Sequence, residues 1–242
     1  MAFYEDISKY YDDIFPVSNY TLEFLKSSIG EPPKTVLDVA CGTGGYSLEL
    51  DKLGYDVTAI DLDSKMIESL SEKANISKTK VKFLQSNMLE LNKKFNEDMF
   101  EAVYCIGNSL VHLNDVDEIK KFFTDVRRIL GNDGTFVFQI INYNRIISNN
   151  VKGLPTIVRE SVPLKFERAY EYEKSKNKVI FKTSLSVEDN TIKNAIELMP
   201  LMYDDAVSLL KEAGFTSINA YGDFKRSNFD KNNSYALVIQ AK

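Results

Sequence analysis

The chain has 242 residues, of which 44% are hydrophobic and 12% aromatic, enough for one sizeable core and more in keeping with one embellished domain than with two. A formal charge of −5 gives no electrostatic reason to expect nucleic acid or an anionic membrane as partner. Two cysteines, a charged opening stretch where a secretory apolar core would stand, and no apolar run near the ~18 residues of a membrane span predict a cytoplasmic protein without a disulfide framework.

Residues 3–29 hold two helix-like stretches broken around Pro16, with aromatics at Phe3, Tyr4, Tyr10, Tyr11, Phe15, Tyr20 and Phe24, and read as a helical cap. From Thr35 short apolar runs alternate with amphipathic patterns: TVLDVA then 45–53, DVTAID then 64–74, VKFLQ, EAVYCI then 115–130, and TFVFQII. That rhythm predicts a parallel sheet covered on both faces. Ser64 is placed to cap a helix whose Met66, Ile67, Leu70 and Ala74 share a face. The face formed by Val116, Ile119, Phe122, Phe123, Val126, Ile129 and Leu130 ends at Gly131, a residue suited to a left-handed helix stop. Residues 155–200 break the pattern, because LKFERAYEY, KVIFKTSLSV and IKNAIELM alternate partially between polar turns, as an inserted antiparallel meander does. A helix at 203–213 stopped by Gly214 and strands at 216–221 and 235–240 close the chain.

The expectation is an α/β, doubly wound Rossmann-like mixed seven-stranded sheet with an amino-terminal cap and a small inserted meander. Its units are residues 1–30 (cap), 31–148 with 201–242 (nucleotide-type binding domain) and 149–200 (insert walling an acceptor pocket).

Gly42, Gly44 and Gly45 follow a strand and open a helix, a turn common to nucleotide-binding crossovers. A dinucleotide needs its pyrophosphate at the helix start, where an acidic side chain repels it. Here Asp38 lies four residues before Gly42, and the third glycine of the dinucleotide spacing falls on Ser47. A cationic ligand reverses the sign: S-adenosylmethionine carries a sulfonium and an ammonium that a nearby carboxylate stabilises. The alternative is a tight turn with a buried, capped aspartate. Asp61, ending the second strand about twenty residues after Gly42, has a carboxylate suited to a ribose diol, although an acidic strand end also suits a helix start, as Asp63 does. Asp63 and Met66 follow at that start. In SNML after the third strand, Asn87 suits an adenine edge and Met88 a ring face, or else they are a polar loop residue and a core methionine.

Together VLDVACGTGG, TAIDLDSKM, SNM and FEAVYCIGNSLVHL resemble the class I S-adenosylmethionine methyltransferases over about residues 35–148 and again over the closing helix and strands. CIGNSLVHL and INYN are similar to the glycine N-methyltransferases and related small-molecule enzymes. The resemblance implies that backbone at Ala40 and Gly42, within the turn that includes Gly44, holds the methionine part. It implies that Asp61 holds the ribose, with Leu62 and Met66 beside it, and Asn87 with Met88 the adenine. It further implies that Ile106 flanks the cofactor and that Tyr11 is a lid over the transferable methyl. The glycine-methylating enzymes have an arginine immediately before the N-Y pair, where this chain has Ile141, so the resemblance leaves the acceptor open; Arg145, Arg159 and Arg168 are other candidates for an acid group.

Asn108 and His112 follow the fourth strand at the edge where open α/β sheets bind ligands. Asn108 suits orientation of an acceptor, His112 is a candidate base or a structural histidine, and Tyr143 beside Asn142 is a further acceptor-pocket candidate. Cys41 and Cys105 end neighbouring strands and suit packing, and no metal set can be built from two cysteines and one distant histidine. The chain lacks the Asp/Asn-Pro-Pro-aromatic segment of nucleobase amino methylases, having Ile106-Gly107-Asn108-Ser109 there, and lacks the Pro-Cys of cytosine-C5 enzymes. The leading expectation is methyl transfer from S-adenosylmethionine to a nitrogen or oxygen of a small metabolite, giving S-adenosylhomocysteine. A non-catalytic sensor of that cofactor is the alternative, and a nucleotide-dependent oxidoreductase is disfavoured by Asp38 and the glycine spacing.

Overall fold

The computed structural model describes residues 7–160 and 162–242; Phe3 and Tyr4 of the expected cap lie outside them. In chain order the elements are α1 (Tyr11–Ile14), α2 (Asn19–Ile29), β1 (Thr35–Val39), α3 (Gly45–Lys52), β2 (Asp56–Asp61) and α4 (Ser64–Ser77). There follow β3 (Lys82–Gln85), α5 (Leu91–Lys94), β4 (Phe100–Cys105), α6 (Val116–Ile129), β5 (Leu130–Ile141) and α7 (Tyr143–Ser148). The strands β6 (Gly153–Arg159), β7 (Leu164–Glu173), β8 (Lys178–Val187) and β9 (Asn190–Leu198) precede α8 (Tyr203–Glu212), β10 (Ile218–Tyr221) and β11 (Ala236–Ala241).

The main sheet has seven strands in the order β10-β11-β5-β4-β1-β2-β3, parallel from β5 to β3 and antiparallel at β11 and β10. Strand order reverses between β1 and β4, which opens a crevice beyond their carboxyl ends. Alternation along β1 sends Leu37 and Val39 into a core with α6 and α8, and Val36 into a core with α2, α3 and α4. Both faces are thereby covered, as the near-continuous apolar strands require.

The second sheet, in the order β6-β7-β8-β9, is antiparallel throughout. It has one strand more than the three apolar runs of the sequence, because Pro155 disguises β6, an edge strand where a missing N–H costs no ladder bond. Ile7 and Ile14 of the cap share a core with Leu164, Phe166, Leu185 and Val187 of this sheet.

Two capping expectations change. Asp63, not Ser64, is the N-cap of α4, its carboxylate accepting the Lys65 N–H at 2.9 Å. Gly131 is no left-handed stop: α6 runs directly into extended backbone at Leu130, which pairs with Phe100, so β5 begins where the helix ends. Among the described residues no helix is long and apolar enough to cross a membrane.

Candidate active site

The turn after β1 is built on positive φ angles at Ala40 (58°), Gly42 (56°) and Gly44 (77°). Glycine adopts these freely, and Ala40 is held there at a cost that marks the turn as over-determined by its surroundings. A Cβ on Gly44 would lie 2.2 Å from Leu70 Cδ1, so this glycine serves the packing of α4 and lines neither cavity described below. Asp61 stitches the turn to the end of β2: Oδ2 accepts the Gly42 N–H at 2.8 Å and Oδ1 the Asp63 N–H at 2.9 Å. The Leu62 N–H acts on the same carboxylate, which still keeps lone-pair capacity for an incoming hydroxyl. Burial raises the Asp61 pKa, and these backbone bonds act against it.

Asp38 is only 3% exposed, and its Oδ2 accepts both the Ser47 hydroxyl at 2.5 Å and the Tyr104 hydroxyl at 2.7 Å. It is thus the buried, capped aspartate of the alternative reading, while its residue also borders the wider cavity. Desolvation pushes its pKa up to about 7, against the two hydroxyl bonds and with a contribution from Asp61. Ser47, which occupies the third glycine position of a dinucleotide turn, is the residue that fastens Asp38.

Two cavities open at the crevice. The narrower, about 260 Å³, is bordered by Asp61, Leu62, Met66, Asn87 and Met88. The wider, about 340 Å³, lies between the cap, the loop after β4 and the inserted sheet, and is bordered by Phe15, Ile106, Asn108, Ile141, Leu154 and Arg168 among others. Tyr11, Ala40 and His112 border both. Asn87 also caps the turn after β3, Oδ1 accepting the Leu89 N–H at 2.9 Å, and Met88 packs against the core.

The loop after β4 is fixed from β5. Gln139 Oε1 accepts the Gly107 N–H at 2.9 Å, and the Asn108 Oδ1 accepts the Ile141 N–H at 3.0 Å. Asn108 Nδ2 donates to the Tyr143 hydroxyl at 3.2 Å. Tyr143 is 1% exposed and lines neither cavity, so this pair braces the loop while Asn108 alone borders the wider cavity. His112, at the junction of the cavities, has its pKa lowered to about 4 by burial and is neutral at pH 7. Cys41 and Cys105 are free thiols raised by burial, and among the described residues no group of three His, Cys, Asp or Glu side chains is arranged to hold a metal ion.

The cap reaches the site through two residues. The Tyr11 ring lies so close that a Cβ on Gly42 would meet it at 3.1 Å. Asp12 accepts from Thr43 Oγ1 at 2.5 Å and from Lys73 Nζ at 2.6 Å. Of the three arginine candidates, Arg159 donates to the cap carbonyls of Asp13 (2.7 Å) and Ile14 (3.3 Å), and Arg145 lies over the Tyr235 ring and lines neither cavity. Arg168 borders the wider one.

Sequence reasoning did not find Ser47 and Tyr104 behind Asp38, or Gln139 behind the loop. Gln139 carried a signal, a lone polar residue inside the buried run TFVFQII. The Asp12–Thr43 contact, 31 residues apart, carried none.

Residues 36–134 match a methyltransferase domain family. Over 219 residues the chain is 26% identical to the glycine/sarcosine N-methyltransferase of Aphanothece halophytica, spanning 90% of this chain and 80% of that one. It is 36% identical over 123 residues to the glycine N-methyltransferase of Rattus norvegicus, but that covers only 47% of this chain and 42% of the relative. Among solved structures it resembles an S-adenosylmethionine-dependent methyltransferase from Clostridium acetobutylicum (TM-score 0.82, 19% identity, 99% of this chain and 98% of that one). It also resembles the CcbJ methyltransferase from Streptomyces caelestis (TM-score 0.83, 22% identity, 99% and 97%).

Proposed function

Because this chain is a class I S-adenosylmethionine-dependent methyltransferase, we propose that it transfers the methyl group to a nitrogen or oxygen of a small metabolite seated in the wider cavity. The observation that carries this is the junction of two cavities at Tyr11, Ala40 and His112, one with groups suited to adenosine and the other walled by the insert. A volume of about 340 Å³ suits a small molecule. The names of the relatives, glycine/sarcosine and glycine N-methyltransferases, favour nitrogen as the acceptor atom.

The donor set fits the cofactor. Asp61 keeps lone-pair capacity for a ribose diol, Leu62, Met66 and Met88 offer apolar faces to adenine with Asn87 at its edge, and Asp38 stands by the cationic end. Ala40 and Gly42 bring backbone close to the methionine part, with Ile106 and Tyr11 on either side. When bound, S-adenosylmethionine supplies a methyl on a sulfonium, a good leaving group for in-line displacement.

The protein's part is alignment and exclusion of water. Tyr11 covers the junction from the cap. His112 is neutral, and its low basicity suits it to accept a hydrogen bond from the acceptor's N–H or O–H without keeping the proton. Asn108, braced by Ile141 and Tyr143, sets the loop that presents His112. In this reading residues 1–30 act as lid, 31–148 with 201–242 as cofactor domain and 149–200 as acceptor wall.

Calorimetric titration with S-adenosylhomocysteine, followed by a screen of small amines, amino acids and hydroxylated metabolites for S-adenosylhomocysteine release, tests the proposal. Saturable binding and turnover of a small acceptor are expected. Binding without turnover across the panel would favour a cofactor sensor, and no binding would overturn the site.

A further inference from the structure

A strand at the border of a sheet presents a row of unpaired N–H and C=O groups, and a folded chain either blunts such a border or uses it. Four strands stand at borders here, β3 and β10 of the main sheet and β6 and β9 of the inserted one. Three are blunted. β3 and β10 have only four residues each, and β6 carries Pro155 and a register shift between Leu154 and Ile157. β9 has neither device: its nine residues pair with Val187 to Val179 of β8 without a break. Among the described residues no backbone hydrogen bond reaches its other border between Asn190 and Leu198.

β9 is also held ready. Ile192 and Ile196, on its inward face, pack against the core that Ile7 and Ile14 share with the inserted sheet. Just beyond its end the Met199 N–H donates to the Val111 carbonyl at 2.8 Å. A strand fixed in this way loses little further freedom on gaining a neighbour. The outward face reads Thr191, Lys193, Ala195 and Glu197, all exposed. A lysine in the middle of a border strand usually deters pairing. On β8 neither charge is answered, because Lys193 lies opposite Ser184 and Glu197 opposite Ile180. Glu197 reaches Lys176 at 3.5 Å, with both side chains more than half exposed.

A second copy of β9 answers both charges. In an antiparallel pair related by a two-fold axis perpendicular to the sheet, facing residues share a face, so the axis falls on a residue and not between two. With the axis at Ala195, Lys193 faces Glu197 of the second copy and Glu197 faces its Lys193, with the two small alanines opposed at the centre. An axis at Lys193 or Glu197 sets like charges face to face, and one at Asn194 or Ile196 leaves both charges without a facing counter-charge. We propose that β9 is the interface of a homodimer in which the two inserted four-stranded sheets join edge to edge, antiparallel and centred on Ala195. The two-fold axis uses up the border of both copies, so assembly stops at two.

Light scattering of the full chain from roughly 1 to 100 µM tests this. A mass of two chains is expected at the upper end. Lys193→Glu and Glu197→Lys each create two like-charge pairs and should raise the dimer dissociation constant about tenfold or more. The double variant restores both pairs with their signs exchanged and should return to within about threefold of wild type. All variants should keep the wild-type circular dichroism and bind S-adenosylhomocysteine within twofold, which separates dissociation from misfolding. A monomer throughout, a mass that keeps growing past two chains, a dimer indifferent to both single variants, or a double variant no better than the singles would each overturn the proposal. None of these outcomes touches the reading of the two cavities.

Discussion

Asp38 has one oxygen already accepting two hydroxyls and a carboxyl that titrates near neutrality. An unfolded aspartate has a pKa of about 3.9, so the folded chain holds this proton more tightly. The resulting stabilisation is complete below about pH 4 and is lost as pH rises through about 7. The ligand-free protein should therefore lose thermal stability over that window, and Asp38→Asn, which keeps an acceptor for both hydroxyls, should flatten the profile. A cationic ligand favours the ionised form, so binding at pH 7, where this carboxyl is about half protonated, should release up to about half a proton. Calorimetry in buffers of different ionisation enthalpy reads this directly, and a heat independent of buffer would count against the role. For Asp61, Asp61→Ala should weaken S-adenosylhomocysteine binding about tenfold or more and lower the melting temperature as well, because the Gly42 and Asp63 N–H groups lose their acceptor. An unchanged affinity would remove Asp61 from the ribose. The value of Asp38 was legible in VLDVACGTGG, since a charge beside a glycine turn decides between ligands. Its partners, nine and 66 residues away in the chain, were not.

At the scale of elements, the strand and helix alternation was legible because the central strands β1, β2, β4 and β5 are apolar on both faces and α4, α6 and α8 carry an apolar stripe. What failed was punctuation. Gly131 looked like a stop, yet pairing of Leu130 with Phe100 draws the chain straight into β5. The strand β6 went unread, because Pro155 interrupts its apolar pattern, yet in an edge strand a proline is tolerated. The glycine turn is the element most sensitive to change. Gly44→Ala would combine a φ of 77° with a Cβ 2.2 Å from Leu70 Cδ1. A cost of about 2 kcal/mol is expected from strain and overpacking, read as a fall in melting temperature of roughly 4–8 °C for a chain of this size. A variant as stable as wild type would show that α4 yields there.

Across the whole molecule the cap is the piece that touches everything. Asp12 links it to Thr43 and Lys73, Tyr11 rests on Gly42, and Ile7 with Ile14 completes the core of the inserted sheet. None of these contacts is local in sequence, which is why the cap's helices were legible and its docking was not. The Asp12–Lys73 bridge is partly exposed and contributes about 1 kcal/mol or less. Asp12→Ala should cost about 1–3 kcal/mol, mainly because the buried Thr43 hydroxyl loses its acceptor, while speeding S-adenosylhomocysteine dissociation, measurable by stopped-flow displacement. An unaltered off-rate would mean that the Tyr11 contact and the shared core suffice to hold the cap.

The party wall of Tyr11, Ala40 and His112 has a consequence for the order of addition. A molecule seated in the wider cavity stands against the same three residues that border the narrower one. The expected order is donor first, with its spent form leaving last. Initial-rate measurements should show a compulsory sequence, with S-adenosylhomocysteine competing against the donor and inhibiting noncompetitively against the acceptor.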